Sequence, residues 1–178
     1  MITASLHRTA RTAGAFYLLA VLSALAGEFI LHGRVAIGLG LVAVACYIVV
    51  TFLFFAIFKV ISRNLTMAAI AANLAGLALE ALRWNPGGID IAMVFHGLYC
   101  ILIGYLMAKS GFLPRILGGL MIGAGLIWLL YLDSPLVNAI SPWNTIVGLI
   151  GEGLPCLWFL GFGLRAPHRG ELASAGGD

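Results

Sequence analysis

Charge is what this sequence has least of. Only 10% of its 178 residues are Asp, Glu, Lys or Arg, while 62% are hydrophobic and the mean hydropathy is +1.06. A soluble domain carries about 25% charged and about 45–50% apolar residues. A globule of the present composition could not cover its apolar surface, so a water-soluble monomer is excluded and lipid is the solvent for most of the chain. Cysteine is scarce as well. Cys46, Cys100 and Cys156 stand far apart inside apolar runs, which excludes a disulfide scaffold, a zinc framework of paired cysteines and a redox pair. They read as small packing residues. No nucleotide-binding motif is present, and no basic surface points to nucleic acid. The net charge of +3 matters less than where each charge stands.

What the sequence has in abundance is long apolar runs. A transmembrane helix needs about 20 mostly apolar residues, and six segments qualify: 13–31, 35–58, 65–82, 91–108, 116–132 and 145–164. None alternates polar and apolar residues, which disfavours a β-barrel. Backbone polar groups cannot go unpaired in hydrocarbon, so helices remain. The fold expected is all-α: a polytopic membrane bundle of six transmembrane helices joined by short loops. One domain spans residues 1–165, and 166–178 is a mobile cytoplasmic tail. Basic residues, a short apolar run and Ala24-Leu25-Ala26 imitate a signal peptide; we read them as the first helix.

Turn chemistry separates the spans. Asn85-Pro86-Gly87-Gly88 is a turn, with Asp90 placed to cap the fourth helix. Pro114 and Pro142 sit where first helical turns tolerate proline. Short connections make consecutive helices antiparallel neighbours. If Arg8 and Arg11 lie inside, so do Lys59, Arg63, Lys109, Arg115, Arg165 and Arg169, leaving only Arg34 and Arg83 outside. By the positive-inside rule both termini are cytoplasmic.

Against this background the polar residues within spans stand out. Ionisable groups in a bilayer are costly, and each is a functional-site hypothesis. Glu28, Glu80, His96 and Glu152 lie on four different spans, with Asn73 and Arg83 nearby. At about 1.5 Å of rise per residue, Glu28 is roughly 5 Å from the outer end of its helix, His96 roughly 8 Å and Glu152 roughly 10 Å. Glu80 is as shallow as Glu28, and Asn73 is about 10 Å deeper on the same helix face. All four ionisable groups fall in the outer half of the bilayer. Glu28 and Glu80 can also be read as snorkelling or structural ion-pair residues, and His96 as a satisfied core histidine. Tyr99 shares the face of His96.

Glu152 is harder to read as packing. It stands between Gly151 and Gly153, three residues before Pro155. Pro155 leaves the Gly151 carbonyl without its helical partner, so a kinked or unwound helix is expected there. Broken helices at such depth line cavities. Gly119 and Gly123 form a small-xxx-small pair, expected to make a close helix contact within the bundle or in a homodimer.

Two stretches resemble a known family. Ser110-Gly111-Phe112-Leu113-Pro114-Arg115-Ile116-Leu117-Gly118, and Gly151-Glu152-Gly153 followed by Leu157-Trp158-Phe159-Leu160, are similar to motifs of small bacterial integral membrane proteins catalogued as a domain of unknown function. Arg11-Thr12-Ala13-Gly14 ahead of the first span and Glu80 near the end of the third fit the same pattern. The resemblance implies six helices, a bacterial inner membrane, and Glu28, Glu80 and Glu152 as family positions. It implies no reaction.

Three functions remain open. One is a binding or transport protein, its outer polar pocket built from Glu152, His96, Glu80, Glu28, Arg83, Asn73 and Tyr99, taking a small molecule, an ion or a lipid. Another is a metal-dependent membrane enzyme with Glu28, Glu80, His96 and Glu152 as candidate ligands, although no Glu-x-x-His pair and no His-Glu-x-x-His motif occurs. The last is a structural or regulatory partner of another membrane protein.

Overall fold

Long apolar runs leave the backbone no partner but itself, and seven α-helices form among the described residues. They are α1 (Ala4–Leu25), α2 (Arg34–Phe58), α3 (Arg63–Ala81), α4 (Ile91–Lys109), α5 (Arg115–Leu129), α6 (Ser134–Ile140) and α7 (Trp143–Gly161). The computed structural model describes residues 4–164, apart from the side chains of Ala4, Glu28 and Phe29. The tail expected over 166–178 lies outside the described residues, as do Arg165 and Arg169. There is no strand among the described residues. Among the described residues, five helices are long and apolar enough to cross a membrane: α2, α3, α4, α7, and α5 with its 3-10 extension through Leu132. The chain is an all-α membrane protein. α1 carries His7, Arg8 and Arg11 in its first half, is not among the five, and continues into a π-helical turn over Ala26–Ile30.

Helix starts follow the side-chain oxygens that sequence places there. Ser62 accepts from the Leu65 N–H, Asp90 from the Met93 N–H and Asp133 from the Leu136 N–H. Each satisfies one of the free donors at a helix N-terminus, worth about 1 kcal/mol. The expected cap at Asp90 is thus present. The short α6 sits in what reads from sequence as a loop, started by Asp133 and Pro135.

Every long helix packs against its chain neighbour, and α7 contacts both α5 and α1, so the six long helices close into a ring. The tightest pair is α4 with α5. A Cβ on Gly97 would meet the Gly125 carbonyl oxygen at 2.7 Å, and one on Gly104 would meet the Gly118 oxygen at 2.7 Å. Two glycines seven residues apart on each helix therefore face one another, and only hydrogen side chains permit this approach. Of the two contacts expected for Gly119 and Gly123, the one within the bundle does not form, since their Cβ positions have nothing within 4 Å. They point out of the bundle; the packing glycines are their neighbours Gly118 and Gly125.

A second correction concerns α7. It runs as one helix across Gly151, Glu152 and Pro155, without unwinding. Gly151 packs against α5, where its Cβ would meet the Leu120 carbonyl oxygen at 2.8 Å. That glycine answers a neighbour's proximity instead of loosening the backbone.

Candidate functional site

One polar network runs through the middle of the ring, and every long helix contributes to it. Its centre is the Glu152 carboxylate of α7, 3% exposed. The Tyr17 hydroxyl of α1 donates to Oε2, and the Trp128 indole N–H of α5 donates to Oε1. His96 Nε2 of α4 lies 3.1 Å from Oε1 and 3.2 Å from Oε2. With Nε2–H as the third donor, the group is a carboxylate held by an O–H and two N–H groups. Burying this charge without such partners would cost several kcal/mol.

The far side of His96 continues the chain of donors. Thr51 Oγ1 of α2 spends its single proton on the Tyr47 carbonyl oxygen, 2.7 Å away. It therefore accepts from Asn73 Nδ2 of α3 at 2.6 Å, which turns Asn73 Oδ1 toward His96 Nδ1 at 3.5 Å. The amide orientation is thus fixed by the network. Cys100 Sγ, one turn along α4, is 3.6 Å from His96 Nε2. The Tyr47 ring packs edge-on against the imidazole, centroids 5.4 Å apart.

Glycine makes room for this centre. A Cβ at Gly148 would meet the Trp128 ring at 2.5 Å, so only glycine on α7 lets the indole reach Glu152 one turn further on. The Gly97–Gly125 contact brings α5 close enough to α4 for Trp128 and His96 to share that carboxylate.

Above the network lies a cavity of about 840 Å³. Glu152, His96, Asn73, Trp128 and Tyr47 line its floor; Glu80, Arg83, Asp90 and Ser141 line it nearer the helix ends. All of these ends belong to the side of the ring away from Lys59, Arg63, Lys109 and Arg115. Arg83 has φ 52°, the left-handed conformation that closes α3 and passes the chain into the 3-10 turn Pro86–Gly88. Asn144, 3% exposed, faces the cavity with its Oδ1 lacking a protein partner.

The residues expected at a pocket thus divide. Glu152, His96 and Asn73 are joined by hydrogen bonds, and Glu80 and Arg83 share the cavity wall with them. Tyr99 does not line the cavity: it is fully buried in the core, because the turn that aims His96 at α7 aims residue 99 between helices. The Glu28 side chain lies outside the described residues. The metal set expected from Glu28, Glu80, His96 and Glu152 does not form among the described residues; the ligand atoms that converge are those of His96, Cys100 and Glu152. Tyr17, Thr51 and Trp128 carry no mark of the site in the sequence, and Cys100 shares the His96 helix face there but reads as a packing residue. Trp128 stands as one more aromatic in an apolar run, and Tyr17 carries no signal until the rotation of α1 is known.

No curated protein and no solved structure matches this chain. A family model does match, over residues 39–163: the domain of unknown function DUF4386. The match covers more than half of the chain, from α2 to the end of α7, and the chain belongs to that family.

Proposed function

We propose that this member of the DUF4386 family binds, and moves across the membrane, a small polar molecule or ion that enters the cavity and reaches the Glu152–His96 pair. The observation that carries the reading is the pairing of an 840 Å³ cavity with a floor on which a buried carboxylate and an imidazole meet. Pockets that bind small molecules have volumes of about 300–1,000 Å³ and place a few polar groups among apolar walls. A buried ion pair is a costly way to hold a bundle together, since apolar residues of similar volume are often equally stabilising. Its position at the end of a polar cavity favours a binding role.

In this reading α1 is the sixth span, extended by its π-helical turn. Lys59, Arg63, Lys109 and Arg115 gather at the end of the bundle where α1 begins with Arg8 and Arg11. Placing that end in the cytoplasm satisfies the positive-inside rule and opens the cavity outward, from a bacterial inner membrane. The open Gly119 and Gly123 face of α5 is where a second copy would pack, as a homodimer.

Trp128 offers the test, because its indole is bonded to Glu152. With Trp84, Trp143 and Trp158 replaced by Phe, emission reports the floor of the cavity. Titration with a panel of small amines, amino acids and alkali cations should give a saturable emission change for at least one of them. His96→Gln should abolish it. A panel that leaves emission unchanged at millimolar concentration contradicts the reading.

A further inference from the structure

Three chemically different ligand atoms converge where the cavity meets the core: His96 Nε2 and a Glu152 carboxylate oxygen from two residues of the cavity lining, and Sγ of the buried Cys100, all within 4.8 Å of one another. We infer that they form a binding site for a divalent metal ion of borderline softness, zinc being the best fit and cobalt its spectroscopic substitute. The inference depends on the cavity reading only for the ion's route of arrival.

The separations decide between a chance cluster and a coordination site. Zinc binds thiolate sulfur at about 2.3 Å and imidazole nitrogen or carboxylate oxygen at about 2.0 Å, tetrahedrally. The resulting edges are about 3.5 Å from nitrogen to sulfur and about 3.3 Å from nitrogen to oxygen. The structure has 3.6 Å from His96 Nε2 to Cys100 Sγ, and 3.1 and 3.2 Å from Nε2 to the Glu152 oxygens. The two edges at Nε2 therefore match coordination to within a few tenths of an ångström, and the third, from Sγ to the carboxylate, closes within 4.8 Å. His96 and Cys100 present their ligand atoms together because residues four apart share one helix face, while Glu152 arrives from α7.

The groups behind the ligands match as well. A metal-binding imidazole usually gives its other N–H to an oxygen, which fixes the tautomer. Thr51 turns the Asn73 amide so that Oδ1 faces His96 Nδ1. With Nδ1–H donating there, loss of the Nε2 proton to the ion leaves the lone pair on Nε2, toward Cys100 and Glu152. Tyr17 and Trp128 orient the carboxylate from the opposite side. A mixed nitrogen, oxygen and sulfur set selects zinc or cobalt over magnesium or calcium, which prefer oxygen alone. On binding, the ion replaces the proton on Cys100 Sγ and the one on His96 Nε2, and both pass to water in the cavity. Three protein ligands leave a fourth position for that water or for another ligand from the cavity.

The full chain, purified in detergent with its cysteines reduced, is titrated with Co²⁺ and then Zn²⁺. The expected result is about one ion per chain with a near-ultraviolet thiolate-to-cobalt absorption band that Zn²⁺ removes. Cys100→Ser should lose the band, whereas Cys46→Ser should keep it. Asn73→Ala should keep the band but weaken binding by about 10–100-fold. A parent chain with less than about one-tenth of an ion and no band overturns the inference, whatever the variants do. A band unchanged in Cys100→Ser also overturns it. The Trp128 titration contains no transition metal, so the cavity reading can fail while the metal site stands, and the reverse.

Discussion

The two ends of this bundle solve the same packing problem in opposite ways. Toward the end bearing Lys59 and Lys109, the ring is filled with aromatic side chains. Phe54 packs on Phe58 at 5.5 Å and on Phe159 at 5.1 Å, and Phe58 stacks on Phe112 at 6.2 Å. All four are buried, and Leu106, Met107 and Leu113 close the space around them. Toward the other end the helices stay apart around a cavity, and buried positions hold Thr51, Asn73, Asn144 and Glu152. One end is a plug. The other is a vestibule whose floor is a hydrogen-bonded carboxylate.

The contrast shows what the polar residues are not needed for. Burial of a Phe side chain contributes about 1.5–3 kcal/mol without any partner requirement, and the plug uses this. A carboxylate in the same place needs three donors merely to be tolerated. A sequence selected only to close the ring would continue the plug. The Ser110–Gly118 stretch at the α4–α5 turn belongs to the plug: Phe112 and Leu113 are buried, Gly111 has φ 65°, and Pro114 precedes α5. The motif around Glu152 belongs to the vestibule.

This division can be broken at several points. The largest effect should come at the α4–α5 contact that both ends share. Gly118→Val would place its side chain 2.6 Å from the Ala108 backbone nitrogen, forcing the helices apart. A loss of about 4 kcal/mol or more is expected, at the extreme for one substitution. Gly119→Val, one residue away and open, should stay within about 0.5 kcal/mol. Thermal unfolding of both variants in detergent separates a packing glycine from its neighbour.

A smaller effect is expected at the vestibule floor. Glu152→Gln keeps the volume, but its amide N–H₂ must face Tyr17, Trp128 or His96, leaving at least one donor unpaired. The expected cost is about 2 kcal/mol, read as a lower unfolding temperature, with any emission change caused by ligand lost as well. Smaller still is Thr51→Val. It removes the acceptor for Asn73 Nδ2 and should cost about 1 kcal/mol, while freeing the Asn73 amide to rotate.

The sequence told the fold more clearly than the site. Five of the six expected spans match helix bounds to within a few residues, because an apolar run of bilayer length admits little else. The first is the exception: its helix starts earlier, at Ala4, and ends in a π-helical turn. Polar outliers drew attention to Glu152, His96 and Asn73, since cost alone marks an ionisable group in an apolar run. Their partners carried no such mark. Trp128, Tyr17 and Thr51 are ordinary residues of membrane helices, and only helix rotation and the glycine contacts turn them toward Glu152. The same limit explains Gly119 and Gly123, which face away from α4 while Gly118 and Gly125, seven residues apart, make the contact within the bundle.

The central claim is that water and solutes reach the Glu152 floor from one end while the other end is sealed. Accessibility of single cysteines measures this most directly, in a chain whose three native cysteines are replaced. Thr145→Cys, on the cavity wall, should react with a charged, membrane-impermeant thiol reagent applied to the outside of intact cells. Ile103→Cys, fully buried in the ring, should not react from either side. Failure of Thr145→Cys to react, or equal reaction at Ile103→Cys, would contradict a vestibule closed by a plug.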